Sequence, residues 1–152
     1  MRAVVTRVLS ASVAMRDGAR AGETRAIGPG LLILLGVAPG DDEASAKKLA
    51  DKILALRVFS NAEGKFDKSV TDLKGELLVV SQFTLFAELK GGRRPDFGGA
   101  ARPELAAPLC AKFAELLGAG GLVVRTGEFG ASMAVQSVND GPVTIVADTA
   151  AF

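Results

Sequence analysis

The sequence predicts a single α/β domain, mainly β-sheet layers with two helices packed on one side. Three observations carry this expectation. Short apolar runs rich in β-branched residues recur along the chain, bounded by Gly, Pro and Asp turns. Only two stretches space their apolar residues by three and four, as helices do. No repeat, low-complexity tract or linker divides the 152 residues, a length suited to one core.

In order, Arg2 to Val8 reads as a strand, and Ser10 to Met15 continues it in the same style. Asp17-Gly18 supplies a hairpin turn, and Thr24 to Ile27 the short return strand. Gly28-Pro29-Gly30 turns the chain into Leu31 to Val37, a central strand apolar on both faces. Pro39 to Asp42 breaks that strand and offers an aspartate cap to a helix over Glu43 to Arg57. There Ala46, Leu49, Ile53 and Leu56 form one apolar stripe, and Asp51 and the lysines are solvated charge. A short strand at Val58-Phe59, a turn at Asn61 to Gly64 and a polar loop or edge over Lys65 to Lys74 follow. Glu76 to Gln82 is the next buried strand. Phe86 to Ala101 is irregular and locally basic. The second helix spans Pro103 to Leu117, with Leu105, Leu109, Phe113 and Leu116 as its stripe. Proline is favourable at its start, and Pro108 removes a helical bond and bends the first turns. Leu122 to Thr126, Met133 to Asn139 and Val143 to Ala147 close the chain as three strands.

Composition excludes much chemistry. The chain has no histidine, which removes Ser-His-Asp and Cys-His catalysis and histidine zinc sites. The acidic residues form no ligand-spaced cluster, so no metal and no cofactor is expected. One cysteine, Cys110, rules out an internal disulfide and fits a reducing cytoplasm. It lies in a helical apolar pattern and reads as a buried thiol rather than a nucleophile. No apolar run approaches the length of a membrane span, and Thr6 and Arg7 interrupt any signal-peptide core. The net charge of +1 is no nucleic-acid footprint. An RNA partner must be met locally, and the Lys90 to Pro95 loop is the place for it. Glycine there permits close backbone approach and arginine forks onto phosphates; a solvated loop explains the same residues.

The organising stretch is Leu77 to Leu85. Four apolar residues lead into Ser81, Gln82 and Thr84. Such groups satisfy local backbone at a strand end, or present donors to a ligand from a rigid support. A second polar stretch, Asn139-Asp140-Gly141-Pro142-Val143-Thr144, sits between two apolar runs. It is either an ordinary turn or part of the same site.

These two stretches together resemble the signature pair of the D-aminoacyl-tRNA deacylases. The similarity covers nearly the whole chain, including Arg7-Val8, Ala11-Ser12-Val13, Gly30 to Val37, Phe59-Ser60, Glu63 to Lys65, Arg94-Pro95 and Thr126-Gly127. Pro108 and the tail from Ala147 to Phe152 depart from it without touching the motifs. The resemblance implies hydrolysis of the ester between a D-amino acid and the 3′-terminal adenosine of tRNA, by a cytoplasmic homodimer. It implies a cis Gly141-Pro142 peptide that crosses into the partner's site to face Ser81, Gln82, Phe83 and Thr84. Arg7 matches the arginine that supports this motif at the interface. Phe129 and Met133 match residues near the bound aminoacyl end, and Ala106 falls where the adenine lodges.

With no histidine the general base is missing. Backbone N–H groups of Phe83 and Thr84 are the expected oxyanion donors, and the substrate's own 2′-hydroxyl is the expected helper of the attacking water. Thr84 as a nucleophile is the alternative, although no partner base is visible. The Gly141-Pro142 carbonyls are expected to accept from the substrate's α-ammonium and leave no volume for an L side chain; glycine has no side chain on either face, so some cleavage of glycyl-tRNA is expected. Two further readings stay open. An RNA-end binding module would use the Lys90 to Arg94 loop and treat Ser81 to Thr84 as structural. An esterase acting on small molecules would lack a base.

Overall fold

A computed structural model describes residues 1–152. Strand β1 (Arg2–Met15) organises the sheet because its 14 residues are long enough to serve three partners. Its first half pairs antiparallel with β3 (Gly30–Gly36), and its second half with β2 (Thr24–Ile27). Its other edge pairs with β8 (Met133–Asp148) along nearly its whole length. Beyond β3 lie β6 (Glu76–Ser81) and β7 (Val124–Thr126), both parallel to their neighbours. Strands β4 (Phe59–Ser60) and β5 (Phe66–Lys68) form a separate small ribbon.

Helix α1 (Glu43–Leu54) starts at Asp42, whose carboxylate accepts from Ser45 N at 2.8 Å while Ser45 Oγ faces the cap N–H. This reciprocal box satisfies two of the orphan donors of the first turn. The helix ends at Leu54 rather than Arg57. Thr71 Oγ1 donates to the carbonyl of Leu54 at 3.1 Å, and Val58 lies before β4, which starts at Phe59. Leu56 leaves the helix but still packs against the core.

Helix α2 (Pro103–Gly118) carries Pro108 without a break. The face it buries is turned slightly from the expected stripe. Ala106, Leu109, Phe113 and Leu117 are buried, whereas Leu105 and Leu116 are only partly so.

Both helices lie on one face, packed with Ala3, Val5, Ile33, Leu35, Leu77 and Val79. The opposite face has its own cluster, including Val8, Val13, Ile27, Leu32, Leu78 and Val80. No helix covers it. The second half of β1 and strand β2 fold over instead, and Arg25 of β2 reaches the Thr126 carbonyl of β7 at 3.2 Å. This explains why β3 and β6 are apolar on both faces. Neither helix is long and apolar enough to cross a membrane.

Two strand assignments change. The two C-terminal strands are one strand, β8, with an irregularity inside it. Thr6 pairs with Thr144 and Val8 with Asn139, so residues 140–143 oppose Arg7 alone. A bulge of this kind keeps the ladder while releasing the residues within it. The strand after Glu76 stops at Ser81, and Phe83–Phe86 form a single 3-10 turn.

Candidate functional site at the carboxyl ends of the parallel strands

Strands β3, β6 and β7 run parallel, and their carboxyl ends meet at one edge of the sheet. In open α/β sheets, ligands sit in the crevice outside such ends. Two adjoining cavities occupy this crevice. One, of about 330 Å³, is almost wholly apolar. Its lining includes Leu35 and Val37 after β3, Phe83 and Phe97, and Ala106 on α2. The other, of about 390 Å³, includes Val79 and Ser81 of β6, Thr126 at the end of β7, Gly127 to Phe129 after it, and Arg20. Cys110 and Phe129 line both.

The turn at the end of β6 stands at this crevice. Gln82 N donates to Leu35 O at 2.7 Å, and Leu85 N closes the turn on Gln82 O at 3.2 Å. Between them, Phe83 and Thr84 open the 3-10 turn, where an N–H has no partner within the turn. Neither donates to any backbone carbonyl of the surrounding loops. Both residues are exposed. Two adjacent, unpaired backbone donors thus stand on a rigid support. Gln82 Nε2 bonds Thr84 Oγ1, which fixes both side chains on the turn. The Phe83 ring meets Phe97 edge to face at 4.9 Å, making one wall of the smaller cavity.

Of the residues expected at the site, the structure brings Ser81, Phe83, Phe129 and Ala106 to the crevice. Gln82 and Thr84 share the turn without lining either cavity. Met133 lines neither cavity and packs against the second core cluster, its sulfur 2.5 Å from where a Cβ on Gly127 would stand. Gly141 and Pro142 are elsewhere. They sit in the β8 bulge, exposed, and line neither cavity of their own chain. The peptide between them is cis, and Gly141 has φ +118°.

Arg7 supports that bulge. It is buried, its Nη1 donates to the Val58 carbonyl, and its Nε lies 2.9 Å from Asp140 Oδ2. That N–H is not aimed at the carboxylate, so the contact is an ion pair without an aligned hydrogen bond. A Cβ on Gly141 would lie 2.8 Å from Val143 Cγ2 and 3.1 Å from Arg7 Nη2. The arginine therefore fills the space behind the bulge, and the backbone there has no room for a side chain.

Cys110 is not fully buried as expected, but burial still pushes its thiol up to about 11. It remains protonated near neutrality and is a wall rather than a nucleophile. Sequence reasoning missed Phe97 and Glu128. Glu128 accepts from the backbone N–H of Ala19 at 2.8 Å and of Arg20 at 2.9 Å, and Asp17 Oδ1 accepts from Ser132 N at 2.7 Å. The β1–β2 turn and the loop bearing Phe129 are clamped together by these carboxylates. No local pattern signals a bond between residues so far apart in sequence. The Lys90 to Arg94 loop is exposed and pinched at its base by paired backbone bonds between Glu88 and Asp96.

The fold defines a mixed-sheet α/β protein with an apolar crevice at the ends of its parallel strands. Comparison with known proteins gives the particular family. The family model described as D-Tyr-tRNA(Tyr) deacylase matches residues 4–148. A D-aminoacyl-tRNA deacylase from Roseiflexus castenholzii is 57% identical over 152 residues, covering 100% of this chain and 94% of the relative. One from Chloroflexus aurantiacus is 55% identical over 151 residues, covering 99% and 91%. Among solved structures, the c-Myc DNA Unwinding Element Binding Protein superposes with a TM-score of 0.86 at 42% identity, covering 97% of this chain and 98% of its own. A probable eukaryotic D-amino acid tRNA deacylase has a TM-score of 0.82 at 13% identity, covering 95% and 97%, and so shares the fold. The chain belongs to the D-Tyr-tRNA(Tyr) deacylase family and is an enzyme of the deacylase class.

Proposed function

We propose that this chain proofreads aminoacyl-tRNA by hydrolysing the ester between a D-amino acid and the 3′-terminal adenosine, releasing free D-amino acid and tRNA. The observation that carries the reading is the pair of unpaired backbone donors at Phe83 and Thr84, set beside an apolar crevice. Ester hydrolysis places negative charge on the carbonyl oxygen as water adds. Fixed N–H groups meet that charge without reorganising, and one such donor is worth about 2.7–4 kcal/mol. When the tetrahedral intermediate collapses, the ribose 3′-oxygen leaves and takes up a proton.

The adenine occupies the cavity beside Ala106, whose small side chain leaves it room. The 2′-hydroxyl of the same ribose orients the attacking water, because the chain offers no histidine and its cavity thiol is held protonated. A 2′-deoxy terminal adenosine is then cleaved far more slowly than the ordinary one. The competing role for Thr84, a covalent nucleophile, predicts that Thr84→Ala abolishes turnover; the proposal predicts that it retains most of it.

Gly141 and Pro142 act in the partner subunit's crevice. Three features support this. They line no cavity of their own chain, they sit in a bulge held out by Arg7, and β8 is a long edge strand with Val135, Val138 and Val146 exposed. Edges of that kind invite pairing with another chain. Their carbonyls accept from the substrate's α-ammonium and leave no volume for an L side chain. Glycine, with no side chain, passes the same gate, so glycyl-tRNA is cleaved as well. The setting for this substrate is the cytoplasm, which the single unpaired cysteine suits.

Single-turnover hydrolysis of D-tyrosyl-tRNA beside L-tyrosyl-tRNA tests the proposal. Loss of the D ester alone supports both activity and handedness. Equal loss of both removes the chiral gate. Survival of both, with tight binding, turns the case to an RNA-end binder.

A further inference from the structure

Arg2 belongs to none of the motifs, yet its side chain ends on the turn that carries the two free donors. It opens β1 opposite Gly36 of β3 on one side and Asp148 of β8 on the other. Its Nη1 donates to the Leu85 carbonyl at 2.9 Å, its Nε donates to Asp148 Oδ2 at 2.8 Å, and its guanidinium lies 4.8 Å from the centre of the Phe86 ring. One planar group thus holds the exit of the turn through a carbonyl, a carboxylate and a ring face.

The entry is held by Gln82 N on Leu35 O at 2.7 Å. Gly36 supplies the floor, because a Cβ there would stand 2.9 Å from Phe86 Cε2 and 3.2 Å from Gln82 O. Phe83 and Thr84 lie between these two anchors. A single 3-10 turn has little rigidity of its own, so the direction of its N–H groups is set by what grips its ends.

Asp148 fixes the arginine in turn. Burial pulls its carboxyl upward, but the hydrogen bond from Ala150 N and the pairing with Arg2 outweigh this and hold it below the usual carboxylate range. The N-terminal ammonium adds a weaker attraction. The pair is therefore charged throughout the neutral range. Arg2 lines neither cavity.

We infer that Arg2, braced by Asp148, is a positioning residue for deacylation: it aims the Phe83 and Thr84 N–H groups by gripping Leu85 and Phe86. The inference rests on the ester-hydrolase reading above. A misplacement of about 1 Å in such a group costs on the order of 100-fold in rate, and this loss falls on the chemical step rather than on binding of the adenosine.

The test is single-turnover kinetics on D-tyrosyl-tRNA with wild type, Arg2→Met, Arg2→Lys, Asp148→Asn and the Arg2→Met/Asp148→Asn pair, each with its unfolding midpoint. Arg2→Met is expected to lower the maximal rate roughly 10- to 100-fold while the concentration dependence moves less than about threefold. Arg2→Lys keeps one charged donor and recovers part of the rate. Asp148→Asn loses less than Arg2→Met, and the double variant loses no more than Arg2→Met alone, because Asp148 acts only through the arginine. A merely structural arginine would lower stability without this split and without rescue by lysine. An active wild type with Arg2→Met within about twofold of it overturns the positioning role and leaves the hydrolase reading intact. A wild type that leaves the ester whole overturns the reading itself, and the inference with it.

Discussion

Whether Gly141-Pro142 serves its own crevice or its neighbour's is decided by mixing two inactive proteins. Phe83→Pro removes one backbone donor together with the ring that packs on Phe97 in the wall of the smaller cavity, and Phe83→Ala, which loses only the ring, is its control. Phe83 opens its turn, where proline is tolerated, and Gln82 at φ −144° already lies outside the helical region that a following proline disfavours. The expected loss is about 100- to 1,000-fold in maximal rate, the weight of one oxyanion donor. Gly141→Ala attacks the other motif. Its Cβ would meet Val143 Cγ2 at 2.8 Å, Val143 N at 3.0 Å and Arg7 Nη2 at 3.1 Å, at φ +118°. Left-handed strain of that sort costs about 1–3 kcal/mol, which the bulge relieves by moving Gly141 off its place. Each variant alone is nearly inactive. In a twofold dimer with motifs exchanged, random mixing makes half the dimers mixed, and each of those has one site with both motifs intact, so about one quarter of wild-type activity returns. The assay is hydrolysis of D-tyrosyl-tRNA after the two proteins are unfolded and refolded together, with sedimentation to count subunits. A mixture no more active than its components means that each chain uses its own Gly-Pro, and the exchange is wrong. Near-normal turnover by Phe83→Pro alone removes the backbone-donor mechanism.

Three other outcomes follow from the geometry. Cys110→Ala should keep turnover within about threefold, and iodoacetamide at neutral pH should leave the wild type active, since a thiol near 11 presents almost no thiolate; rapid inactivation by modification at Cys110 would contradict this. Glu128→Ala frees the N–H groups of Ala19 and Arg20 and should loosen the Phe129 loop, raising the substrate concentration at half-maximal rate severalfold while Glu128→Gln retains part of the clamp; hydrogen exchange at Ala19 and Arg20 reads the same change. Acid should break the Arg2–Asp148 brace only late. Because the folded carboxyl sits below its unfolded value, its stabilising contribution is in place above about pH 4 and lost as pH falls through the folded value, so Asp148→Asn should narrow the difference in unfolding midpoint between pH 3 and pH 6.

The sequence by itself determined the local features. Turn chemistry at Asp17-Gly18 and Gly28-Pro29-Gly30, the aspartate cap at Asp42 and the spacing of Leu49 and Ile53 each depend on neighbours a few residues away, and these elements stand where they were read. The double-sided apolar character of Leu31 to Val37 foretold a strand covered on both faces. The motif pair of Ser81 to Thr84 and Asn139 to Thr144 carried the family resemblance, and the family model matches residues 4–148.

Only the tertiary structure decided what joins distant segments. That Met133 to Asp148 is one strand with a bulge follows from its pairing with β1, where residues 140–143 oppose Arg7 alone. The strand ends at Ser81 because Gln82 N turns to Leu35 O, a bond that local pattern does not encode. The buried face of α2, Ala106, Leu109, Phe113 and Leu117, is set by its packing in the core and not by its own apolar stripe. The Glu128 bonds to Ala19 and Arg20 and the Arg2 brace on Leu85 join residues 83 to 109 positions apart. Period and propensity are properties of one segment, whereas a site is a property of how the segments meet.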